Sequence, residues 1–351
     1  MSPKVSIIIP VFNAQNYLAQ CLDSLIGQTL REIEIICVND GSIDQSLSSL
    51  QKYASIDNRI IIIDQQNSGV SIARNNALKH VRGEYYMFVD SDDWLDVETC
   101  EVAYEYAKKH SADCLMFSYV KEFSDHNIVN HIFSEEVIVW DDNDVKSNFH
   151  RRLFGPLDRE LSRPQDMDIM VTPCMQMFKT SKFSHIEFVD IKEVGTFEDG
   201  LYQMILYNGC ESFVYIDQPF YHYRKTNETS ITSCYNADLP YKFDCLWNHI
   251  ESYINNYNLD ASYSKAFKNR VALSLIGLGL NQVKSQKGLM FNSKAMRRLL
   301  NNIRVKKSLE DLQLSFMPIS WKVFFYLCKC HHTVSLVLML YLIEYLRTHK
   351  K

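Results

Sequence analysis

Short runs of apolar residues alternate with segments of helical spacing along the first third of the chain. The apolar runs lie at residues 4–10, 33–38, 59–63, 84–90 and 113–119. Between them, apolar positions recur every three or four residues, as they do from Leu18 to Leu25. Continuous apolar runs that are separated by helices are typical of parallel strands covered on both faces. The pattern therefore predicts an α/β fold with an open, mainly parallel sheet that is flanked by helices.

The later segments complete this outline. Residues 120–140 alternate between apolar and polar positions, which predicts a hairpin or edge strands and hence a mixed sheet. From about residue 240 the chain shows apolar stripes at helical spacing, so we expect a mainly helical C-terminal region. Within it, Val334–Leu346 is strongly apolar but short of the ~20 residues that span a bilayer. This segment either packs on the rest of the protein or lies at a membrane surface.

Polar residues stand where four of the predicted strands end. They are Phe12-Asn13, Asn39-Asp40, Asn67 and Asp90-Ser91-Asp92, in chain order, with one aromatic among them. Ligands of open α/β sheets bind beyond the carboxyl ends of the strands, and parallel strands bring those ends to one edge. The sequence therefore predicts a binding site at this edge.

The motifs at this edge narrow the kind of ligand. The first strand is followed by PVFNAQNY, which contains neither a dinucleotide-binding glycine pattern nor a phosphate-binding P-loop. Any phosphate charge must then be neutralised in another way. Asp90 and Asp92 stand at i and i+2, so both carboxylates point to the same side of an extended strand end. Oxygen ligands of this kind suit Mg²⁺ or Mn²⁺ that is shared with substrate phosphates.

Composition and charge exclude several other classes. The net charge is −5, from 37 basic and 42 acidic residues, which argues against a general nucleic-acid binder. A 46% hydrophobic and 12% aromatic content excludes a largely disordered chain. The ten cysteines stand mostly in apolar or helical runs, and residues 1–10 do not resemble a secretory signal. We therefore expect buried thiols in a reducing cytoplasm.

Several ordered motifs resemble family 2 glycosyltransferases with the GT-A fold. In the first 95 residues they are VSIIIPVFNAQNYLAQCLDSLIGQT, IEIICVNDGSIDQS, NSGVSIARNNAL and GEYYMFVDSDDW. The resemblance resumes at Phe197-Glu198-Asp199-Gly200 and from His222-Tyr223-Arg224 through Ser230-Ile231-Thr232. It implies residues 1–95 as the half that binds a nucleotide sugar, 96–235 as the half that binds the acceptor, and 236–351 as a helical region.

The resemblance also implies roles at the donor site. Phe12 stands where an aromatic ring stacks on uracil, and Asp40 stands where a carboxylate accepts hydrogen bonds from the base. Asn67 and Arg74 are expected near the nucleotide and its diphosphate. Asp90 is expected near the ribose and the metal ion, with Asp92 directly on the metal and Ser91 between them at the donor. The metal would take up the charge of the departing diphosphate.

Inversion at the sugar requires a base for the acceptor hydroxyl. Asp199 is favoured by the resemblance, with Glu198 next, although the helix dipole alone also explains acidic residues at the start of a helix. His222 either binds the metal or diphosphate or is a packed, hydrogen-bonded residue. Arg224 either closes over the diphosphate or belongs to a solvated loop. Asp93 is interpreted as a cap of the following helix.

The expected activity is inverting transfer of a hexose or N-acetylhexosamine. The donor would be a nucleotide sugar, UDP-linked, and the acceptor a glycan or lipid-linked glycan in surface polysaccharide or glycolipid synthesis. The alternative is a non-catalytic module on the same fold that binds a nucleotide sugar or a glycan. The expected location is the cytoplasm or the inner face of the plasma membrane, with contact through the C-terminal helices.

Overall fold

A ten-stranded mixed sheet forms the centre of the fold. The computed structural model describes residues 2–226 and 235–349, without the side chains of residues 348 and 349. The strands are β1 (Val5–Val11), β2 (Ile33–Asp40), β3 (Ile60–Gln65), β4 (Tyr85–Phe88), β5 (Trp94–Leu95), β6 (Cys114–Glu122), β7 (Asn127–Asn130), β8 (Val137–Asp141), β9 (Gln176–Lys179) and β10 (Ser212–Arg224).

The sheet has the order β3-β2-β1-β4-β9-β6-β10-β5. Strand β1 pairs in parallel with β2 and β4, so that Val5 stands opposite both Ile33 and Tyr85. Strand β9 lies between β4 and β6 and is antiparallel to both, which leaves β4, β6 and the adjoining β10 pointing the same way. At the edges, β7 pairs with β6 and β8 with β10, both antiparallel, as the alternation over residues 120–140 predicts.

Helices follow most of the strands and make up the C-terminal third of the chain. They are α1 (Leu18–Ile26), α2 (Ser46–Ile56), α3 (Val70–Leu78), α4 (Thr99–Lys109), α5 (Asp142–Asp144), α6 (Arg151–Leu153), α7 (Thr180–Phe183), α8 (Ile191–Val194), α9 (Glu198–Asn208), α10 (Leu239–Asn256), α11 (Ala261–Val283), α12 (Leu289–Leu300), α13 (Ile303–Asp311), α14 (Ile319–Lys329) and α15 (Thr333–His349). A π-helix at Val145–His150 joins α5 to α6.

The chain divides into two compact units. One contains the first 150 residues, residues 169–192 and the segment that begins at Phe197 and includes β10. The other contains residues 151–168, residues 193–196 and the C-terminal helices α10 to α15. The functional division at residues 95 and 235 stays a prediction. No helix in the described ranges is both long and apolar enough to cross a membrane.

The central strands supply the core of the first unit. All seven residues of β1 and all eight of β2 are buried, which agrees with their nearly continuous apolar sequence. Each fully buried isoleucine, such as Ile7 or Ile35, contributes about 1.5–3 kcal/mol relative to an exposed one. This rigid centre fixes the positions of the polar residues at the strand ends.

Candidate active site

The carboxyl ends of β1, β2 and β4 carry the predicted polar residues to one edge of the sheet. Asp40 is the last residue of β2, whereas Asp90 follows the end of β4 by two residues. Phe12 comes directly after β1, and half of its surface is exposed. A large exposed aromatic ring beside a polar cleft is available to stack on a flat ligand.

Asp40 organises the loop that leads into α3. Its Oδ1 accepts hydrogen bonds from the Ser68 backbone N–H and the Gln65 amide, each at 2.8 Å, and its Oδ2 accepts one from the Gly69 N–H at 2.8 Å. Gly69 has a φ of 99°, which favours glycine. A carboxylate has about four acceptor positions, and three are used here. Asp40 therefore supports the loop that carries Asn67.

Arg74 connects the acidic residues of two distant segments. Its Nη2 donates to Asp90 Oδ1 at 3.0 Å, and its Nη1 donates to Asp199 Oδ1 at 2.8 Å. Asp199 is 125 positions further along the chain, at the start of α9. The sequence predicts that Arg74 lies near the diphosphate, and the structure shows its guanidinium bound to the two carboxylates.

The surroundings of Arg74 hold it in one orientation. The residue is buried on α3, and its guanidinium lies over the rings of Phe88 and Phe188 at 5.7 and 5.3 Å from their centroids. Burial disfavours the charge, but Asp199 and Asp90 outweigh burial and raise the pKa of Arg74 above its ordinary value. The planar guanidinium holds its two donor groups in fixed directions toward the two carboxylates, which a lysine ammonium does not do.

The Phe197–Gly200 segment explains how the acidic pair begins a helix. Phe197 has a φ of 66°, in the left-handed region, and precedes α9. A Cβ atom on Gly200 would lie 2.1 Å from the Phe197 ring, so only glycine lets that ring pack against the first turn. Glu198 and Asp199 then occupy the first turn, as predicted, where the helix dipole favours negative charge.

The two carboxyl groups of this pair resist ionisation. Burial and the neighbouring Asp199 raise the pKa of Glu198 to about 7. Burial also raises the pKa of Asp199, against the opposing effect of Arg74. Arg74 contacts only Oδ1 of Asp199. A carboxylate with a raised pKa whose side chain is partly exposed is suited to accept a proton.

Asp93 is a site residue whose role the sequence does not predict. It is buried and precedes α4 by six residues, so the interpretation of a helix cap is wrong. Its Oδ2 accepts a hydrogen bond from the Tyr221 hydroxyl at 2.6 Å, and its Oδ1 accepts one from the Arg224 N–H at 2.8 Å. The Tyr221 oxygen also accepts from the Asp90 N–H at 3.2 Å. These contacts fasten the turn after β4 to the end of β10.

Arg224 lies against the same turn. Its Nε donates to the backbone carbonyl of Asp92 at 2.7 Å, and its guanidinium lies 4.7 Å from the Trp94 ring centroid. It therefore reaches the Asp90–Asp92 segment, although in this arrangement it supports the backbone there. Residues 227–234, with the Ser230-Ile231-Thr232 motif, lie outside the described residues.

The contacts of His222 do not support its prediction as a metal ligand. Its Nδ1 is 2.7 Å from Glu122 Oε1, its Nε2 is 3.1 Å from Asp96 Oδ1, and its ring stacks on Trp94 at 5.0 Å. Both ring nitrogens are occupied by carboxylates, so a metal ion would have to displace one of them. The interpretation of a packed, hydrogen-bonded histidine fits these contacts.

The donor atoms at this edge fit a divalent cation that is shared with a ligand. Within residues 2–226 and 235–349, no group of three or more His, Cys, Asp or Glu side chains is arranged to hold a metal. The Asp90 side chain is 40% exposed and Asp92 follows it by two residues. Mg²⁺ and Mn²⁺ are commonly held by one or two carboxylates together with substrate phosphates and water. The residues suit that arrangement and not a cation held by protein alone.

Comparisons with known proteins identify relatives of this chain. A model of the family described as Glycosyl transferase family 2 matches residues 6–185. Glycosyltransferase GlyA of Streptococcus pneumoniae is 32% identical over 225 residues, which are 63% of this chain and only 30% of GlyA. EpsH of Bacillus subtilis is 28% identical over 305 residues, which are 86% of this chain and 82% of EpsH.

A solved structure confirms the predicted fold class. The crystal structure of S. aureus TarS 1–349 in complex with UDP-GlcNAc matches with a TM-score of 0.68. The match covers 96% of this chain and 90% of the TarS chain, at 21% sequence identity. The predicted GT-A arrangement, a mixed sheet with mostly parallel strands, flanking helices and a helical C-terminal region, is therefore confirmed.

Proposed function

The chain belongs to glycosyltransferase family 2, and we propose that it transfers a sugar, with inversion, from a nucleotide-sugar donor to a glycan acceptor. One observation carries the proposal. A single buried guanidinium, that of Arg74, holds Asp90 beside the end of β4 and Asp199 at the start of α9. The candidate leaving-group site and the candidate base are thereby fixed relative to each other, as an in-line displacement requires.

The donor side of the site is formed by the strand ends. Phe12 stacks on the nucleobase, while Asp40 and Asn67 accept and position it. Asp90, Ser91 and Asp92 face the diphosphate. Asp90 and Asp92 hold Mn²⁺ or Mg²⁺, which stabilises negative charge on the diphosphate when it is bound. Arg224 supports the backbone of that turn and adds a cation beside it.

The proposed transfer uses Asp199 as the base. An acceptor hydroxyl oxygen attacks the anomeric carbon, the bond from that carbon to the diphosphate oxygen breaks, and Asp199 takes the hydroxyl proton. Burial raises the pKa of Asp199, which makes the carboxylate a stronger proton acceptor. Arg74 orients the carboxylate through Oδ1 and so acts as a positioning residue. Glu198 is the alternative base, because its pKa of about 7 also suits the task.

The donor is proposed to carry UDP and a hexose or an N-acetylhexosamine. The exposed Phe12 ring suits stacking on a uracil base. The solved TarS complex contains UDP-GlcNAc, which favours the same class of donor. The acceptor is proposed to be a glycan or lipid-linked glycan of the cell surface, bound by the half of the domain from residue 96 to 235.

A thermal-shift screen tests the donor class. The full chain is heated with UDP, GDP, UDP-glucose and UDP-N-acetylglucosamine, each with Mn²⁺ and with excess chelator. A ligand that binds only the folded state raises the melting temperature. We expect stabilisation by the UDP ligands and less by GDP. Stabilisation by GDP compounds alone would move the donor to another class.

The metal role is tested on Asp92. We expect Asp92→Asn to abolish Mn²⁺-dependent release of UDP from the donor while the circular dichroism spectrum stays unchanged. Asp96→Asn is a matched control, because Asp96 is exposed and contacts His222, outside the proposed metal site. Undiminished turnover by the wild type in excess chelator would contradict the metal role. Donor binding by the wild type without any turnover would favour the non-catalytic alternative.

A further inference from the structure

The last helix that the structure describes carries exposed apolar residues along one side. One side of α15 is fully buried at Leu336, Val337 and Leu340. The opposite side exposes Leu338 by 53% and Leu342 by 57% of their surfaces. Val334, Tyr345 and Leu346 are exposed as well. Positions 334, 338, 342, 345 and 346 follow a spacing of three and four, so they form one face of the helix.

The preceding helix repeats this arrangement. Helix α14 buries Phe324, Phe325 and Cys328 and packs against α15. It exposes Ile319, Val323 and Tyr326, which again share one helix face. The two helices thus form a hairpin in which each has a buried apolar side and an exposed one. Isolated exposed apolar residues are ordinary, but a run of eight in one hairpin marks an interaction surface.

Charge identifies the kind of partner. Residues 284–351 contain thirteen lysines and arginines and three acidic residues, a net charge of +10 in a chain whose total is −5. Helix α12, which packs against α15, exposes Lys294, Arg297 and Arg298, with Met290 and Phe291 exposed one turn earlier. On α12 the exposed basic and apolar residues share one face, and helices that lie in the surface of an anionic bilayer combine basic and apolar residues in this way.

We propose that the α14–α15 hairpin docks this protein on an anionic lipid surface. Helix α15 has 17 residues and is therefore about 25 Å long. It lies in the plane of the interface, with its exposed apolar face among the acyl chains. A second copy of the chain fits less well, because an isologous contact would bring two strongly basic segments together. A soluble polyanion would satisfy the basic residues but not the apolar face.

The proposal deepens the expected membrane contact of the enzyme, and vesicle binding can fail while glycosyl transfer stands. The full chain is mixed with sucrose-loaded vesicles of phosphatidylcholine alone, or of phosphatidylcholine and phosphatidylglycerol at equal amounts, and sedimented. We expect the bound fraction to be at least tenfold larger on the anionic vesicles and to fall in high salt. No binding of the wild type to anionic vesicles would overturn the proposal.

Paired variants distinguish vesicle binding through the hairpin from non-specific binding through other exposed apolar residues. Leu338→Glu with Leu342→Glu should reduce the partition coefficient at least tenfold. The control is Ile56→Glu with Val139→Glu, which changes the charge equally at exposed apolar residues of the other unit and should leave partition within twofold. Nucleotide-induced thermal shifts verify that both variants fold. If the Leu338→Glu, Leu342→Glu variant does not fold, the Val334→Ser, Leu338→Ser variant replaces it.

Two further measurements decide between partners. Replacing Lys294, Arg297 and Arg298 with glutamine should lower binding to anionic vesicles and leave the weak binding to neutral vesicles unchanged. Light scattering of the wild type and the Leu338→Glu, Leu342→Glu variant should give the same mass. The proposal would be overturned if the wild type formed an oligomer and did not bind vesicles, while the variant was a monomer. In that case the exposed apolar face of the hairpin would bind a second copy of the chain.

Discussion

Replacing Arg74 with methionine tests the link between the two acidic segments. Methionine retains much of the apolar bulk against Phe88 and Phe188 but removes both hydrogen bonds. The Asp199 partner is 27% exposed and the Asp90 partner 40% exposed, so solvent screens the second bond more. Charge-assisted bonds contribute about 1.5–3 kcal/mol when shielded and about 0–1 kcal/mol when exposed. The expected loss in unfolding free energy is therefore about 1.5–4 kcal/mol.

The kinetic consequence is more specific than the loss of stability. Without Arg74, the cation that lowers the pKa of Asp199 is gone, so the carboxyl stays protonated to higher pH. We expect kcat to fall by about 10–100-fold, because the base is no longer oriented. We also expect the acid limb of the kcat/KM profile to move to higher pH. Arg74→Lys keeps the positive charge but not the planar guanidinium. It should therefore restore the pH of the acid limb of the kcat/KM profile better than it restores kcat.

A matched variant distinguishes this account from simple destabilisation. Arg59→Met removes another shielded guanidinium, which bonds Asp57 and the Ile26 carbonyl at the opposite edge of the sheet. It should lower the melting temperature comparably and leave the pH profile unchanged. Steady-state UDP release between pH 5 and 9 is the assay. A normal profile and normal kcat in Arg74→Met would refute the positioning role.

Two other predictions concern the nucleobase and the acidic pair. If a base stacks on Phe12, Phe12→Ala should weaken UDP binding by about 1–3 kcal/mol, as measured by calorimetry. Ile56→Ala, which truncates another exposed apolar side chain, should leave UDP binding unchanged. An unchanged dissociation constant in Phe12→Ala would place the base elsewhere. The pKa of Glu198 is raised to about 7 and that of Asp199 is also raised, so the pair loses its charge on acidification and kcat/KM should fall below about pH 7. Glu198→Gln should shift this decrease to lower pH. A value of kcat/KM that stays unchanged down to pH 5 would contradict the assignment.

The local parts of this structure follow from the sequence. Strands β1 to β4 and the polar residues at their ends are predictable, because a buried parallel strand is continuously apolar and the residues after its carboxyl end are polar. The acidic pair at the start of α9 follows from Glu198 and Asp199 ahead of a helical run. These inferences need only periodicity and the rule for sites on open sheets.

The non-local parts do not follow from the sequence. Strand β9 is four residues long, too short to show a period, yet it separates β4 from β6. The ion pair between Arg74 and Asp199 joins positions 125 apart, and the hydrogen bond between Tyr221 and Asp93 joins positions 128 apart. The position of Asp93 directly after Asp92 is the available signal in the sequence, but the sequence favours a helix cap there. Likewise, the carboxylates that occupy both nitrogens of His222 belong to other strands and loops.

The most direct test of the proposed site is Asp199→Asn, compared with the wild type in both binding and turnover. Asparagine keeps the size of the side chain and an oxygen that can accept from Arg74, but it cannot take a proton. We predict a UDP dissociation constant within about twofold of the wild type and a rate of sugar transfer lower by at least about 100-fold. Normal turnover by this variant would contradict the account, and loss of turnover in Glu198→Gln instead would transfer the base to Glu198.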